Sequence, residues 1–331
     1  MSLPSPELPA PLAAAIEARL EGRSHSALRE RARELSQRFR SRKPTSETIR
    51  DETDALAYAA TRMPATYAAI VTALGRLEQE RPDFAPARVL DAGCGLGAAS
   101  CAAAAVWPAI AEMTLLDRSA LFLNLATSLM QESVAAALQA ILADFSTSQP
   151  ADAVPFDLVV AGYAMTEVAE PDLPSVIDRL WALTGDALVI VEPGTPRDHA
   201  RLMIVRSRLL ALGANLIAPC PHRAPCPLPT NDWCHFSVRL PRRRAHRLVK
   251  GVDAPFEDEK FAYLVASRSS GTPPWARVIA PPRAGKAGVS LKLCADKACG
   301  ETFIPKRDKA RYEKIRRKDW GDPLRAPAEE I

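Results

Sequence analysis

The run Asp91-Ala92-Gly93-Cys94-Gly95-Leu96-Gly97 constrains this chain more than any other. It follows a short apolar run at 88–91 and precedes an alanine-rich stretch that begins at Ala98. Glycine at alternate positions lets the backbone pass close to a ligand where a Cβ would collide, and the helix start beyond it presents unpaired N–H groups. Such a loop needs a sheet behind it. Apolar runs at 88–91, 113–117, 140–144, 157–161 and 187–191 alternate with segments beginning near Ala98, Ala120, Asp172 and Pro196 that are long enough for crossover helices. That alternation is the mark of parallel strands covered by helices. Runs at 238–240 and 261–265 offer two more strands, which makes a seven-stranded sheet available.

A dinucleotide fingerprint would need G-x-G-x-x-G, whereas Gly93, Gly95 and Gly97 follow G-x-G-x-G with Asp91 two residues ahead. This spacing resembles the S-adenosylmethionine loop of class I methyltransferases, and it implies a Rossmann-like, doubly wound α/β sheet. Asp117 ends the second strand, placed to accept hydrogen bonds from ribose hydroxyls as in other nucleoside-binding folds of this kind. Asp144, followed by Phe145, closes the third, where the resemblance puts contacts to adenine. Any one aspartate reads equally well as a helix cap or turn residue; three strand-end acids in order beside a glycine loop do not. Cys94 reads as a small filler, with no histidine nearby in sequence. After the fourth strand, amino-methylating enzymes often carry Asn-Pro-Pro-aromatic, and this chain has Ala161-Gly162-Tyr163-Ala164-Met165-Thr166-Glu167. Tyr163 and Glu167 are expected to face the pocket, Tyr163 among the cofactor contacts, although packing and helix initiation explain the two equally well. No catalytic residue is assigned.

Five of the seven cysteines fall between Cys220 and Cys299. An odd count, clustered in a long chain, favours metal ligation in a reducing compartment over a disulfide framework. Pro219-Cys220-Pro221-His222 and Pro225-Cys226-Pro227 precede Asp232-Trp233-Cys234-His235. So many prolines exclude a helix or an interior strand, so 218–236 reads as an insertion fixed by something other than backbone pairing. Three thiols stiffened by proline form a clamp for a soft metal, and buried free cysteines are the weaker alternative in so polar a segment. A fourth ligand must come from Cys294 or Cys299, or from His222 or His235. Zinc sites space ligands at C-x2-4-C, but five residues separate Cys220 from Cys226 and seven separate Cys226 from Cys234. Proline directly after a cysteine occurs in iron–sulfur loops. The spacing favours a 4Fe–4S cluster, with zinc as the alternative.

The 331 residues accommodate one main domain with appendages. Residues 1–85 read as a helical N-terminal extension, 86–270 as the nucleoside-binding domain and 271–331 as a small C-terminal lobe. Net charge is only +4, but residues 239–331 hold 22 Lys and Arg against 12 Asp and Glu, a local +10 that leaves −6 elsewhere. A one-sided positive surface attracts polyanions. Arg242, Arg243, Arg244, Arg247 and Lys250 follow the cysteines closely. Lys306, Arg307, Lys309, Arg311, Lys314, Arg316, Arg317 and Lys318 lie with Tyr312 on a stretch, 306–318, that reads as a helix charged on every side. Arg29, Arg31, Arg33, Arg38, Arg40, Arg42 and Lys43, mixed with Glu30 and Glu34, read as a solvated helix face. The longest apolar stretch, 98–110, falls well short of the roughly 20 residues of a membrane helix. Pro4, Pro6, Glu7 and Pro9 stand where a secretory signal needs a basic start and an apolar run, and a cytoplasmic location is expected.

Several of these segments point to one family. The glycine loop, Glu192-Pro193-Gly194-Thr195, the two cysteine segments through Phe236, Glu257-Asp258-Glu259-Lys260-Phe261 and Trp320-Gly321-Asp322 resemble the methyltransferase-like proteins of the mitochondrial small ribosomal subunit and their bacterial relatives. Arg62-Met63-Pro64-Ala65-Thr66-Tyr67 extends the likeness into the helical region. The resemblance implies a 4Fe–4S cluster on Cys220, Cys226, Cys234 and Cys294, with Cys299 as rival for the last place. It also implies S-adenosylmethionine as cofactor, binding to small-subunit ribosomal RNA or a subunit precursor, and a role in assembly or translation. Arg242, Arg243, Arg244, Arg247, Lys306, Arg307, Arg311, Arg316 and Arg317 would then grip the RNA backbone by charge and shape. The location follows as cytoplasmic in a bacterium and the mitochondrial matrix in a eukaryote. Activity is not implied by the matching motifs. An rRNA methyltransferase, a non-catalytic assembly factor and a small-molecule methyltransferase with structural zinc are the competing readings.

Overall fold

A computed structural model describes residues 3–40, 48–148, 154–296 and 298–325; Arg42 and Lys43 of the N-terminal basic run lie outside the described residues. The chain opens with helices α1 (Ala10–Leu20), α2 (His25–Arg40), α3 (Glu52–Thr61) and α4 (Met63–Glu80). Asp51 caps α3 by accepting the Asp54 N–H at 2.9 Å. Pro64 sits in the first turn of α4, where a missing N–H is no loss. Helix α4 is buried on nearly every side, and small residues at Ala65, Ala68, Ala69 and Ala73 let it lie close against its neighbours.

The main sheet is built from β1 (Arg88–Ala92), α5 (Ala98–Val106), β2 (Glu112–Asp117), α6 (Ala120–Met130), β3 (Ala137–Leu142), β4 (Phe156–Gly162), α7 (Leu173–Leu183), β5 (Thr184–Pro193), α8 (Pro196–Ala211), β6 (Asn215–Ala218), β7 (Phe236–Pro241), α9 (Arg244–Lys250) and β8 (Phe256–Ser267). Its strand order is β3-β2-β1-β4-β5-β8-β6, with β7 also on β8. Strands β1 to β5 pair in parallel and β8 returns antiparallel to β5. This is the doubly wound class I methyltransferase order expected from the loop and the strand–helix alternation. The seven positions are filled, and the outermost is shared: β6 pairs with 265–267 of β8 and β7 with 256–261. The proline-rich insertion leaves the sheet at that break, which is why it needs no partner strand.

A second sheet, order β10-β11-β9-β13 with β12 on β11, forms the C-terminal lobe. It comprises β9 (Ala276–Val278), β10 (Arg283–Ala284), β11 (Gly288–Ala295), β12 (Ala298–Pro305), helix α10 (Lys309–Ile315) and β13 (Pro323–Leu324). Val278, Val289, Leu291, Ile304, Ile315 and Leu324 supply its own small core. The basic helix expected over 306–318 spans only 309–315, and it is not charged all round: Ile315 is buried in the lobe core and Tyr312 packs against it. Arg277, fully buried, ties the lobe down: its guanidinium pairs with Glu80 of α4 at 2.9 Å and donates to the carbonyls of Pro219 at 2.5 Å and Gly321 at 2.9 Å. No helix among the described residues is long and apolar enough to cross a membrane.

Candidate cofactor cleft and cysteine cavity

The glycine loop takes backbone conformations that demand glycine: φ is +73° at Gly93, +53° at Gly95 and +77° at Gly97. A Cβ at Gly93 would come within 2.7 Å of the Ala164 side chain and one at Gly97 within 2.5 Å of Met130 sulfur. The N–H groups of Gly93 and Cys94 both donate to the Leu116 carbonyl at the end of β2, so the loop is bound to its neighbouring strand. Asp91, Gly93, Gly95, Asp117, Asp144 and Tyr163 all line one cleft at the carboxyl ends of the parallel strands, closed on the far side by Tyr58, Met63 and Ile70 of α3 and α4. Gly97, which opens α5, is the expected cofactor residue not among the lining.

Each acid has a local task. Asp91 is buried and accepts Ser100 N–H at 2.9 Å and Ser100 Oγ at 2.8 Å; burial raises its pKa to about 7. Asp117 accepts the Gly95 and Ser119 N–H groups, each at 2.8 Å, on different oxygens. Burial pushes its pKa up while those two donors pull it back. Asp144 follows β3 in a turn and accepts Ser146 N–H and Oγ at 2.8 and 2.6 Å. Beyond β4, Tyr163 has φ +59°, uncommon for a bulky residue, and donates to Glu259 at 2.8 Å. Arg62 pairs with both oxygens of Glu259 and lies 5.0 Å from the Tyr163 ring centre. Glu167 pairs with Arg118 at 2.6 Å across the cleft mouth. Both pairs escaped the residue-by-residue reading, although Arg62 and Glu259 stood inside the motifs that carried the family resemblance. Cys94 is buried, its thiol pushed well above the usual range by burial, in keeping with a filler.

A second cavity opens where the insertion meets α8, β8 and the C-terminal lobe. Cys220, Cys226, Cys234 and Cys294 all line it, and all are free thiols. Cys299 faces Cys294 in the β11–β12 register but is not among the lining. Burial raises the pKa of Cys220 and Cys234, and that of Cys294 to about 12, and neighbouring thiols add to each rise. Buried arginines hold the insertion in place: Arg206 donates to the carbonyls of His222 at 2.9 Å and Ala224 at 2.7 Å, and Arg277 to that of Pro219. His222 Nε2 lies 3.6 Å from Cys294 Sγ. Three buried polar atoms around the cavity lack any hydrogen-bonding partner: His199 Nε2, Arg206 Nε and Tyr263 Oη. No group of three or more His, Cys, Asp or Glu among the described residues is drawn together tightly enough to hold a single metal ion.

The basic residues divide by partner. Arg242 pairs with Glu257 at 3.1 Å, as does Lys250 at 2.5 Å; Arg243 pairs with Glu17 at 3.4 Å, Arg311 with Asp308 at 3.3 Å and Arg316 with Glu313 at 2.7 Å. Arg244, Arg247, Lys306, Arg307 and Arg317 are exposed, with no acidic partner among the described residues.

Residues 52–325 match the family model described as "Mitochondrial small ribosomal subunit Rsm22". The chain is 30% identical over 289 residues to the human "Ribosome assembly protein METTL17, mitochondrial", covering 81% of this chain and 62% of that protein. Among solved structures it is similar to magnesium protoporphyrin IX methyltransferase of Synechocystis PCC 6803 (TM-score 0.41, 14% identity, 67% of this chain and 88% of that one). It is also similar to precorrin-6y C5,15-methyltransferase of Geobacter metallireducens (TM-score 0.40, 17% identity, 60% and 87%). With a family match that takes in α3, the whole sheet, the cysteine insertion and the C-terminal lobe, the chain belongs to the mitochondrial small ribosomal subunit Rsm22 family.

Proposed function

We propose that this protein is an assembly factor of the small ribosomal subunit that binds S-adenosylmethionine in the glycine-loop cleft and carries a 4Fe–4S cluster on Cys220, Cys226, Cys234 and Cys294. The observation that carries the reading is the convergence of those four cysteines, drawn from the insertion and from β11, on one cavity. A tetrahedral zinc ion with Zn–S bonds of about 2.3 Å would need its sulfurs about 3.8 Å apart. A four-iron cube bonds each cysteine at a different corner and seats them more widely, which suits a set that does not close on a single ion. The unpartnered His199, Arg206 and Tyr263 atoms suit a ligand rich in acceptor sulfur. Such a cluster would supply a rigid join between the insertion and the lobe, while the cysteines hold it and Arg206 and Arg277 fix the loop around it.

In the cleft, the second lone pairs of the Asp117 oxygens are available to ribose hydroxyls and Asp144 lies beside the adenine position. The geometry supports binding more than turnover, because the polar groups nearest the acceptor side are engaged: Tyr163 with Glu259 and Glu167 with Arg118. Ribosome assembly as the role is supported by the family and by the human relative, of which the chain spans 62%. The exposed arginines and lysines of α9 and the 306–317 stretch would meet the ribosomal RNA backbone. In a eukaryote the relative's location points to the mitochondrion.

Two measurements test this. Anaerobically purified protein should contain iron and acid-labile sulfide and be brown, with Cys226→Ser colourless; a colourless, zinc-rich preparation would refute the cluster. Incubation with labelled S-adenosylmethionine and immature small subunits should give binding without label transfer, and stoichiometric labelling of the RNA would replace the assembly-factor reading with an rRNA methyltransferase.

A further inference from the structure

Two of the three unpartnered atoms, Tyr263 Oη and His199 Nε2, belong to side chains that line the cysteine cavity. Tyr263 is 3% exposed and His199 8%. A buried hydroxyl or N–H without an acceptor costs about 1–3 kcal/mol, and such groups are rare enough in folded proteins to need a reason. Neither side chain is placed loosely. The Tyr263 ring packs against Phe236 and Phe261 with centroids 5.1 and 5.9 Å apart, on a strand at the centre of three pairings. His199 stands in the first turn of α8, its N–H bound to the Thr195 carbonyl at 3.0 Å.

Both line the cavity that Cys234 also lines. Burial pushes the Tyr263 pKa up, Arg277 and Arg76 pull it back and negative charge on Cys234 adds to the rise; after burial, the groups that act on His199 are His235 and Asp232, on either side of Cys234. Burial pushes the His199 pKa down, so the ring is neutral and keeps a single N–H to give. A protonated thiol is a weak acceptor; a metal-bound thiolate or an inorganic sulfide carries charge and accepts strongly. Arg206 is different, because its guanidinium already holds the insertion through His222 and Ala224.

We infer that Tyr263 and His199 are positioning residues that donate hydrogen bonds to sulfur at the Cys234 corner of the iron–sulfur centre and so raise its reduction potential. The inference rests on the cluster reading above. An added electron makes the sulfurs more negative, so a donor aimed at them stabilises the reduced state more than the oxidised one. The four cysteines fix that a cluster is held; these two residues set how readily it is reduced.

The test is a mediated redox titration of the anaerobically purified full chain, followed by electron paramagnetic resonance of the reduced cluster, with iron and sulfide measured on each sample. The variants are Tyr263→Phe, which removes one oxygen and keeps the ring, His199→Leu, which removes the donor, and His199→Gln, which restores an N–H. Expected is full cluster content throughout, with the reduction equilibrium of Tyr263→Phe and of His199→Leu weakened about tenfold each, ~59 mV more negative for one electron, and His199→Gln close to wild type. Wild-type potentials in both Tyr263→Phe and His199→Leu at full cluster content would overturn the inference and leave the cluster standing. Wild-type protein without iron and sulfide would overturn the cluster reading itself. Should Tyr263→Phe fail to hold iron, the Leu and Gln pair at position 199 decides the matter at the same corner.

Discussion

Among single residues, Asp91 shows how an acid that reads as a ligand contact can hold a structural task. Its pKa of about 7 arises from burial, against an ordinary value near 3.9 in the unfolded chain. An acid whose folded pKa is raised binds its proton more tightly in the native state, so its contribution is most favourable below about pH 4, declines as pH climbs towards 7 and is constant above. The total is up to about 4 kcal/mol. Asp91→Asn keeps an acceptor for Ser100 and carries no charge. Its melting temperature should therefore gain on wild type steadily from pH 4.5 to 7.5, and a pH-independent difference would refute the assignment. Asp117 has the opposite character, because its oxygens remain half-open to the cleft. Asp117→Ala, measured by calorimetry with S-adenosylhomocysteine, should weaken binding on the order of 100-fold, two hydrogen bonds at about 1.5 kcal/mol each. The sequence made both positions visible as strand-end acids; it carried no sign that one is sealed by Ser100 and the other open.

At the level of elements, legibility followed length and period. Four of the five parallel strands announced themselves as apolar runs because both their faces are buried, whereas the edge strand β3 is largely exposed. The four-residue β6 was hidden between a helix and the prolines, and strands as short as β10 and β13 carry no period at all. The third strand, read at 140–144, runs 137–142, since Asp144 turns away to bind Ser146. Helix α4 could be read as a helix but not as a core element, because its alanines give no amphipathic stripe to face a partner. Its start is fixed to β8 through Arg62 and Glu259, a half-buried cation against a buried carboxylate. Arg62→Met leaves that carboxylate without its cation and with the Tyr163 hydroxyl as donor, and should cost about 2 kcal/mol in urea unfolding, less than the 3–5 of a fully buried pair. Adding Glu259→Gln should recover part of the loss. Equal destabilisation in the single and double variants would show that the pair contributes nothing beyond packing.

For the whole molecule, the decisive feature is that separate cores are joined at a few points, most of them polar. The C-terminal lobe has its own apolar centre and meets the main domain through Arg277 and Arg325 with Glu80 at 2.9 and 2.7 Å, Arg76 with Asp322 at 2.9 Å, Lys292 with Asp232, the Trp320 ring against Phe236, and the cysteine cavity. Stripping iron should therefore expose 219–235 and the lobe to limited proteolysis while β1 to β5 stay resistant; uniform resistance would mean that the polar ties suffice alone. The same division into engaged and free groups bears on the ribosome. Each phosphate neutralised on RNA releases counterions, so the slope of log affinity against log salt counts the contacts, roughly 0.7–0.9 per phosphate. Arg244 and Arg247 project from α9 with no acidic partner among the described residues, whereas Arg242, beside them in sequence, is half-buried and held by Glu257. Replacing Arg244 and Arg247 by alanine should flatten the slope by about 1.5 with a small-subunit rRNA fragment and leave the melting temperature unchanged. Arg242→Ala should do the reverse, lowering thermal stability by freeing Glu257 from one partner while the slope holds. If all three variants shift the slope alike, the ion pair opens on RNA and the surface is wider than its resting geometry; if none does, α9 does not face RNA and the 306–317 stretch must carry the contact by itself.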